Sequence, residues 1–202
     1  MEVSLDKVKL LREKTSAGIM DCKKALAESG GDIDAAVEYL RKKGVAKASK
    51  LVSRKASEGL VHAYIHPGGR FGSLVEVNCE TDFVARTDEF LTLANDIAIQ
   101  VAATAPLALE RRDLDEAIID KEKEIYREHA LAEGKPEKVL DKIVDGRLEK
   151  FYEEVCLLEQ IFVKDPDIKI ADMVKEFSGK VGENVVVRRF TRFQLGDESG
   201  SE

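Results

Sequence analysis

No apolar run in this sequence approaches the ~20 residues needed to cross a bilayer. The opening stretch MEVSLDKVKLL also lacks the apolar core of a signal peptide. The expectation is a cytoplasmic protein without a membrane partner. Cysteine is sparse: Cys22, Cys79 and Cys156 lie far apart and form no CxxC pair. An odd, scattered set argues against a disulfide framework and fits three reduced thiols in a core. Histidine is as scarce. His62, His66 and His129 do not fall at ligand spacing with the cysteines, so no metal site is expected. Also absent are GxxxxGKS/T, GxGxxG after a strand, GxSxG and HExxH. Without a phosphate cradle or a catalytic set, the chain reads as a binding protein rather than an enzyme, with no cofactor.

What is present is charge, unevenly placed. The chain is 44% hydrophobic and 35% charged, with a net charge of −7, which argues against a primary nucleic-acid binder. Residues 1–57 nevertheless carry 13 Lys/Arg against 8 Asp/Glu, and Tyr39 to Ser57 holds seven basic residues and no acidic one. Ala108 to Gln160 is the opposite, with 16 acidic and 10 basic residues. The basic stretch is either a steering surface for an acidic partner or a solvated helix face.

Hydrophobic periodicity divides the chain. Residues 4–43 read as three short helices: Ser4 to Lys14 with Leu5, Val8 and Leu11 on one face, about Met20 to Ser29, and Ile33 to Lys43. Gly30-Gly31 closes the second, Asp32 caps the third, and Gly44 stops it. This gives a three-helix module over 1–44, with a basic connector over 45–57. A hairpin follows, Glu58 to His66 and Phe71 to Cys79 around Pro67-Gly68-Gly69-Arg70, with Val61, Ala63 and Ile65 alternating inward. Asp88 caps a helix whose core stripe is Phe90, Ala94, Ile97 and Val101. Residues 114–132 and Glu137 to about Val155 then form a helical hairpin, with Gly146 as a weak point or a close-packing site. Phe162 to Pro166 reads as a loop, Ile168 to Phe177 as a helix and Gly182 to Leu195 as a strand whose alternation slips at Arg188-Arg189. The fold class expected is α+β, with an antiparallel-sheet core domain over 58–196 and a disordered tail over 197–202.

Between the second strand of the hairpin and the next helix stands a polar corner, Thr81, Asp82, Phe83 and Val84. Loops held by a rigid strand and helix are where binding residues sit. Phe83 is either a plug tucked into the core or a side chain presented to a partner. In the N-terminal helices, Met20 on its own reads as a core residue, and Arg12 and Lys23 as solvated charges.

LREKTSAGIM followed by DCKKALAESGGDIDAAVEYLRKKG is similar to the ubiquitin-associated class of three-helix modules. That likeness alone points to a ubiquitin-binding adaptor. A third reading takes Arg188, Arg189 and Arg192, interleaved with Phe190 and Phe193, as an RNA-binding strand. More specific is a set of three stretches in order: LREKTSAGIMDCKKAL, EVNCETDFVAR and EGKPEKVLDKIVDGRLEKFYEEVCLLEQIFVKD. Together they resemble the bacterial elongation factor Ts family, whose N-terminal module is itself ubiquitin-associated-like. The resemblance implies a guanine-nucleotide exchange factor for elongation factor Tu. It implies that Asp82 and Phe83 disturb the nucleotide site, with Thr81 and Val84 shaping the corner. It implies further that Arg12, Ile19, Met20, Asp21 and Lys23 dock on another face of the same partner. Two positions depart from the family pattern: Ser16 stands where Gly is frequent and Ile19 where Met is. Longer members carry a second core half, and short members form homodimers in its place. This chain shows a single half, so a homodimer is expected.

Overall fold

The computed structural model describes residues 4–15 and 17–197. Ser16 and the tail from residue 198, both subjects of expectations above, lie outside the described residues. Helices α1 (Leu5–Thr15), α2 (Ile19–Glu28) and α3 (Ile33–Ala48) open the chain. Strands β1 (Glu58–Ile65) and β2 (Phe71–Cys79) follow, then α4 (Asp82–Ala85), α5 (Asp88–Thr104), α6 (Glu116–Ala132) and α7 (Glu137–Val155). The short strands β3 (Ile161–Phe162) and β4 (Asp165–Lys169), helix α8 (Ile170–Val181) and strand β5 (Val186–Gln194) complete it. The architecture is α+β, with an antiparallel sheet in the order β1-β2-β5 and a separate β3-β4 pair. Among the described residues no helix is long and apolar enough to cross a membrane. No group of three His, Cys, Asp or Glu that could hold a metal occurs among them either.

Two compact units are distinguished by their contacts. The first holds Met1–Leu60, Asn78–Phe90 and Asp172–Val186; the second holds Val61–Val77, Leu91–Ala171 and Val187–Glu202. In the first, α1 to α3 enclose Val8, Leu11, Cys22, Ala25, Leu26 and Ala36, with Ile33, Val37 and Leu40 packed at the edge. Leu5, expected on the apolar face, is exposed instead, at the first position of α1, and only Val8 and Leu11 of that face are buried. Gly30 and Gly31 both adopt positive φ, and the Asp32 carboxylate accepts from the Ala35 N–H at 2.8 Å, as the sequence led one to expect.

Gly44 does not stop α3, which runs on to Ala48. Its role is contact. A Cβ built on Gly179 of α8 would lie 2.2 Å from the Gly44 carbonyl oxygen and 2.7 Å from its Cα, so the two backbones touch at that crossing. Arg41 pairs with Glu176 one turn away on each helix. Phe90, fully buried, packs at 5.9 Å on Phe177 of α8. Beyond α3 the connector turns, burying Leu51, and the Asn184 side-chain amide donates to the Val52 and Arg54 carbonyls at 3.4 and 2.7 Å.

In the second unit, Ala94, Ile97 and Val101 of α5 are fully buried, as their spacing requires. The cap of α5 is Thr87 rather than Asp88: the Thr87 hydroxyl accepts from the Phe90 N–H at 3.2 Å. The inward face of β1 is also the opposite of the one expected. Val61, Ala63 and Ile65 are exposed, and Leu60, His62 and Tyr64 are half-buried. His62 Nε2 lies 3.2 Å from the Asn95 side-chain Oδ1, which gives that ring its place on the inner side. The segment read as a loop is the β3-β4 hairpin, and a buried glutamine explains it. Gln100 donates to the Gln160 side chain at 3.0 Å and to the Ile161 carbonyl at 3.1 Å, and accepts from the Val163 N–H at 2.9 Å. The helical hairpin of α6 and α7 forms as expected. Arg111 ties it to the preceding turn, forking onto Glu149 and Glu159 at 2.5–2.8 Å while stacked 4.5 Å over Tyr152.

Gly146 and Gly179, both inside helices, separate by substitution. Gly146 in α7 has open space at its Cβ position, so Gly146→Ala will stabilise the chain by about 1 kcal/mol through helix propensity. Gly179→Ala forces backbone apart and will cost about 1–3 kcal/mol or more. Urea midpoints that shift in opposite directions for the two variants check both statements.

Candidate functional site

The corner is built where β2 runs out. Thr81 is extended (φ −127°, ψ 152°) and caps α4, its hydroxyl oxygen accepting from the Val84 N–H at 3.4 Å. Helix α4 is a single turn with one inward residue, the buried Ala85. At 100° per residue, Phe83 stands about 200° around the axis from Ala85 and must point outward. It is 83% exposed, the most exposed of the large apolar side chains among the described residues. Phe83 is therefore not a plug. Asp82 beside it is half-buried and pairs with Arg86 one turn on at 2.8 Å. Such an exposed i,i+4 pair is worth only ~0.5 kcal/mol and does not withhold the carboxylate from another partner.

A one-turn helix has no stability of its own, and the structure shows what holds this one. The Glu183 carboxylate, from the turn between α8 and β5, accepts from the Glu80 N–H at 3.1 Å, the Thr81 N–H at 3.0 Å and the Thr81 hydroxyl at 2.6 Å. The bond is returned, since the Asn184 N–H donates to the Glu80 carboxylate at 2.6 Å. Arg54 Nη1 stands 3.6 Å from the same Glu80 oxygen. Sequence reasoning missed Glu183 and Asn184. They lie about 100 residues from the corner in the chain, and no local spacing marks them.

Below the corner the Cys79 thiol, fully buried, donates to the Thr81 carbonyl at 3.1 Å. Burial pushes its pKa from 9.0 up to about 11, and the Glu183 charge adds to the rise. Cys156 is raised to about 11 by burial and by Glu159, and Cys22 is raised by burial.

The second set of candidate residues is on α1 and α2. Cys22, Ala25 and Leu26 take the inward positions of α2, which leaves Ile19, Met20, Asp21 and Lys23 on its surface. Met20 is 74% exposed and is no core residue. Asp21 forms an ion pair with Lys43 at 2.5 Å, and Arg12 is exposed on α1. Both candidate sets belong to the first compact unit. Of the arginines in the RNA reading, Arg189 pairs with Glu76 at 2.6 Å, and Arg192 donates to the Ala102 carbonyl at 3.0 Å while covering the Phe71 ring. Arg192 is thus held by the fold, whereas Arg189, 79% exposed, keeps its charge at the surface.

The family model for elongation factor Ts matches residues 40–197. The chain is 60% identical over 190 residues to the elongation factor Ts of Moorella thermoacetica, spanning 94% of each protein. It is 58% identical over 190 residues to that of Carboxydothermus hydrogenoformans, spanning 94% of this chain and 88% of the relative. With the elongation factor Ts of Herpetosiphon aurantiacus it shares 55% over 196 residues, 97% of this chain and 99% of the relative.

The raised thiols set an alkaline limit. The folded state holds the Cys79 and Cys156 protons to about pH 11, whereas thiols freed by unfolding release theirs from about 9. Stability is therefore full below pH 9 and falls as pH rises through that window. Melting temperatures measured across pH 8 to 11 check the sign. At pH 8 a thiol reagent will label none of the three cysteines until urea is added.

Proposed function

The chain belongs to the elongation factor Ts family, and from that premise we propose that it binds elongation factor Tu and promotes GDP release during translation elongation. The observation that supports this reading is Phe83, 83% exposed on a corner that is braced rather than loose. An exchange factor makes and breaks no bond. It binds the nucleotide-free partner more tightly than the loaded one, and by reciprocity it weakens nucleotide binding by the same factor.

The magnitude is adequate. Burying one phenylalanine side chain gains about 1.5–3 kcal/mol. If that gain is made only with the nucleotide-free partner, it weakens GDP binding by roughly 10- to 150-fold. In this reading Phe83 wedges between helices of the partner's GTPase domain and Asp82 accompanies it, disturbing magnesium and phosphate contacts. Thr81 and Val84 set the angle of approach. Residues 1–44 supply a second docking surface, with the connector 45–57 leading from them to the core domain over 58–196. Met20 supplies adaptable apolar contact there, the β-branched Ile19 a stiffer one, and Arg12, Asp21 and Lys23 supply charge pairing. The place of action is the cytoplasm, and no direct nucleic-acid contact is involved.

We also propose a homodimer, formed through the outer face of the three-stranded sheet. Val61, Ile65, Leu74, Phe193 and Leu195 are all exposed, with Phe193 68% open to solvent. An apolar set of this kind on a sheet is a recurrent mark of an interface.

Phe83→Ala will keep the native circular dichroism and slow release of a fluorescent GDP analogue from elongation factor Tu by ~10-fold or more. An unchanged rate on a folded variant excludes the wedge. For the dimer, Phe193→Asp will convert the sedimenting species to a monomer. A wild-type chain that already sediments as a monomer excludes the homodimer.

A further inference from the structure

We propose that Glu183 is the positioning residue of the corner: it holds the backbone of Glu80 and Thr81 so that Phe83 and Asp82 keep one attitude, and it acts through Phe83. The inference rests on the exchange reading of the corner. Its basis is how fully this one carboxylate is committed. One oxygen accepts the two consecutive backbone N–H groups of Glu80 and Thr81, at 3.1 and 3.0 Å. The other accepts the Thr81 hydroxyl at 2.6 Å. Those two amides stand where β2 has ended and α4 has not begun, so no ladder serves them, and an unmet buried donor is costly. The same hydroxyl that Glu183 fixes is the cap of α4. Orienting the hydroxyl orients the helix, and through it Phe83.

The turn that carries Glu183 is itself secured. Ser178 donates to the Glu183 carbonyl at 2.5 Å. Asn184, buried, gives its N–H to Glu80 and its side-chain amide to the connector carbonyls of Val52 and Arg54. Glu183 is half-buried and faces the corner, so it positions the contact residues without joining them. A preorganised wedge loses little conformational freedom on docking, and misplacing a contact residue by an ångström can cost on the order of 100-fold.

A thermodynamic cycle distinguishes positioning from general support of the fold. Release of a fluorescent GDP analogue from elongation factor Tu is measured with the full chain carrying Glu183→Ala, Phe83→Ala or both. Glu183→Ala is expected to slow release about 10-fold when Phe83 is present. In the Phe83→Ala background the further loss is expected to be less than about twofold, because the two residues act as one unit. Equal factors in both backgrounds, or no slowing by Glu183→Ala, overturn the proposal. Should Glu183→Ala fail to fold, Glu183→Asp, whose reach is one methylene shorter, enters the same cycle with the same two outcomes. If the wild-type chain does not accelerate release at all, the exchange reading fails by itself. Positioning is then decided by amide hydrogen exchange: faster exchange confined to residues 80–84 in the Glu183 variant supports it, and unchanged exchange there overturns it.

Discussion

Two carboxylates facing each other across the end of β2 hold the part of this chain that matters most for its proposed function. Glu183 takes the amides of Glu80 and Thr81, and Glu80 takes the amide of Asn184. Each oxygen involved is met by N–H or O–H donors, and Arg54 stands near Glu80. Bonds between a carboxylate and backbone N–H groups are among the stronger ones in proteins. They are needed here because they close a loop of about 100 residues, whose entropy cost must be offset by packing elsewhere. The packing is that of α8. Its Gly179 lies against Gly44 of α3, and its Phe177 lies against Phe90. Helix α8 thus carries the clasp on the same frame that carries the three N-terminal helices.

That frame gives the exposed side chains their meaning. An aromatic ring left in water forgoes the 1.5–3 kcal/mol or so that burial would supply. On a mobile loop it would fold back onto the nearest apolar surface. Phe83 does not, because Ala85 occupies the only inward position of α4 and the cap fixes the helix on Thr81. Met20 is outward for a parallel reason, since Cys22, Ala25 and Leu26 fill the inward face of α2. In both places a small or apolar neighbour takes the core and leaves the larger contact residue in solvent.

Much of this was legible in the sequence where the signal is local. The periodic stripe from Phe90 to Val101, the Gly30-Gly31 closure with its Asp32 cap, and the hairpin turn at Pro67 to Arg70 each follow from spacing and backbone chemistry alone. The misreadings occur where a second segment decides. Gly44 looked like a stop, but its neighbour across space is Gly179, and a glycine pair at a crossing leaves no mark in either segment. The face of β1 was read from Val61, Ala63 and Ile65, whereas Leu60, His62 and Tyr64 alternate just as regularly, and Asn95 of α5 settles the choice. The β3-β4 hairpin depends on Gln100, some sixty residues earlier. At the corner the residue types were visible but the exposure of Phe83 was not, and Glu183 could be found only by seeing it next to Thr81.

Exchange through this corner requires Phe83 to be in water in the free chain and out of water in the complex. The chain contains no tryptophan, so Phe83→Trp places a single indole at the tip of the corner. Alone, this variant should show the red-shifted, readily quenched emission of a solvated indole. Addition of nucleotide-free elongation factor Tu should shift the emission to the blue and protect it from acrylamide, and GDP should reverse both changes. Emission that is already blue-shifted in the free chain would contradict the account. So would emission that stays solvated in a complex whose formation is shown by sedimentation.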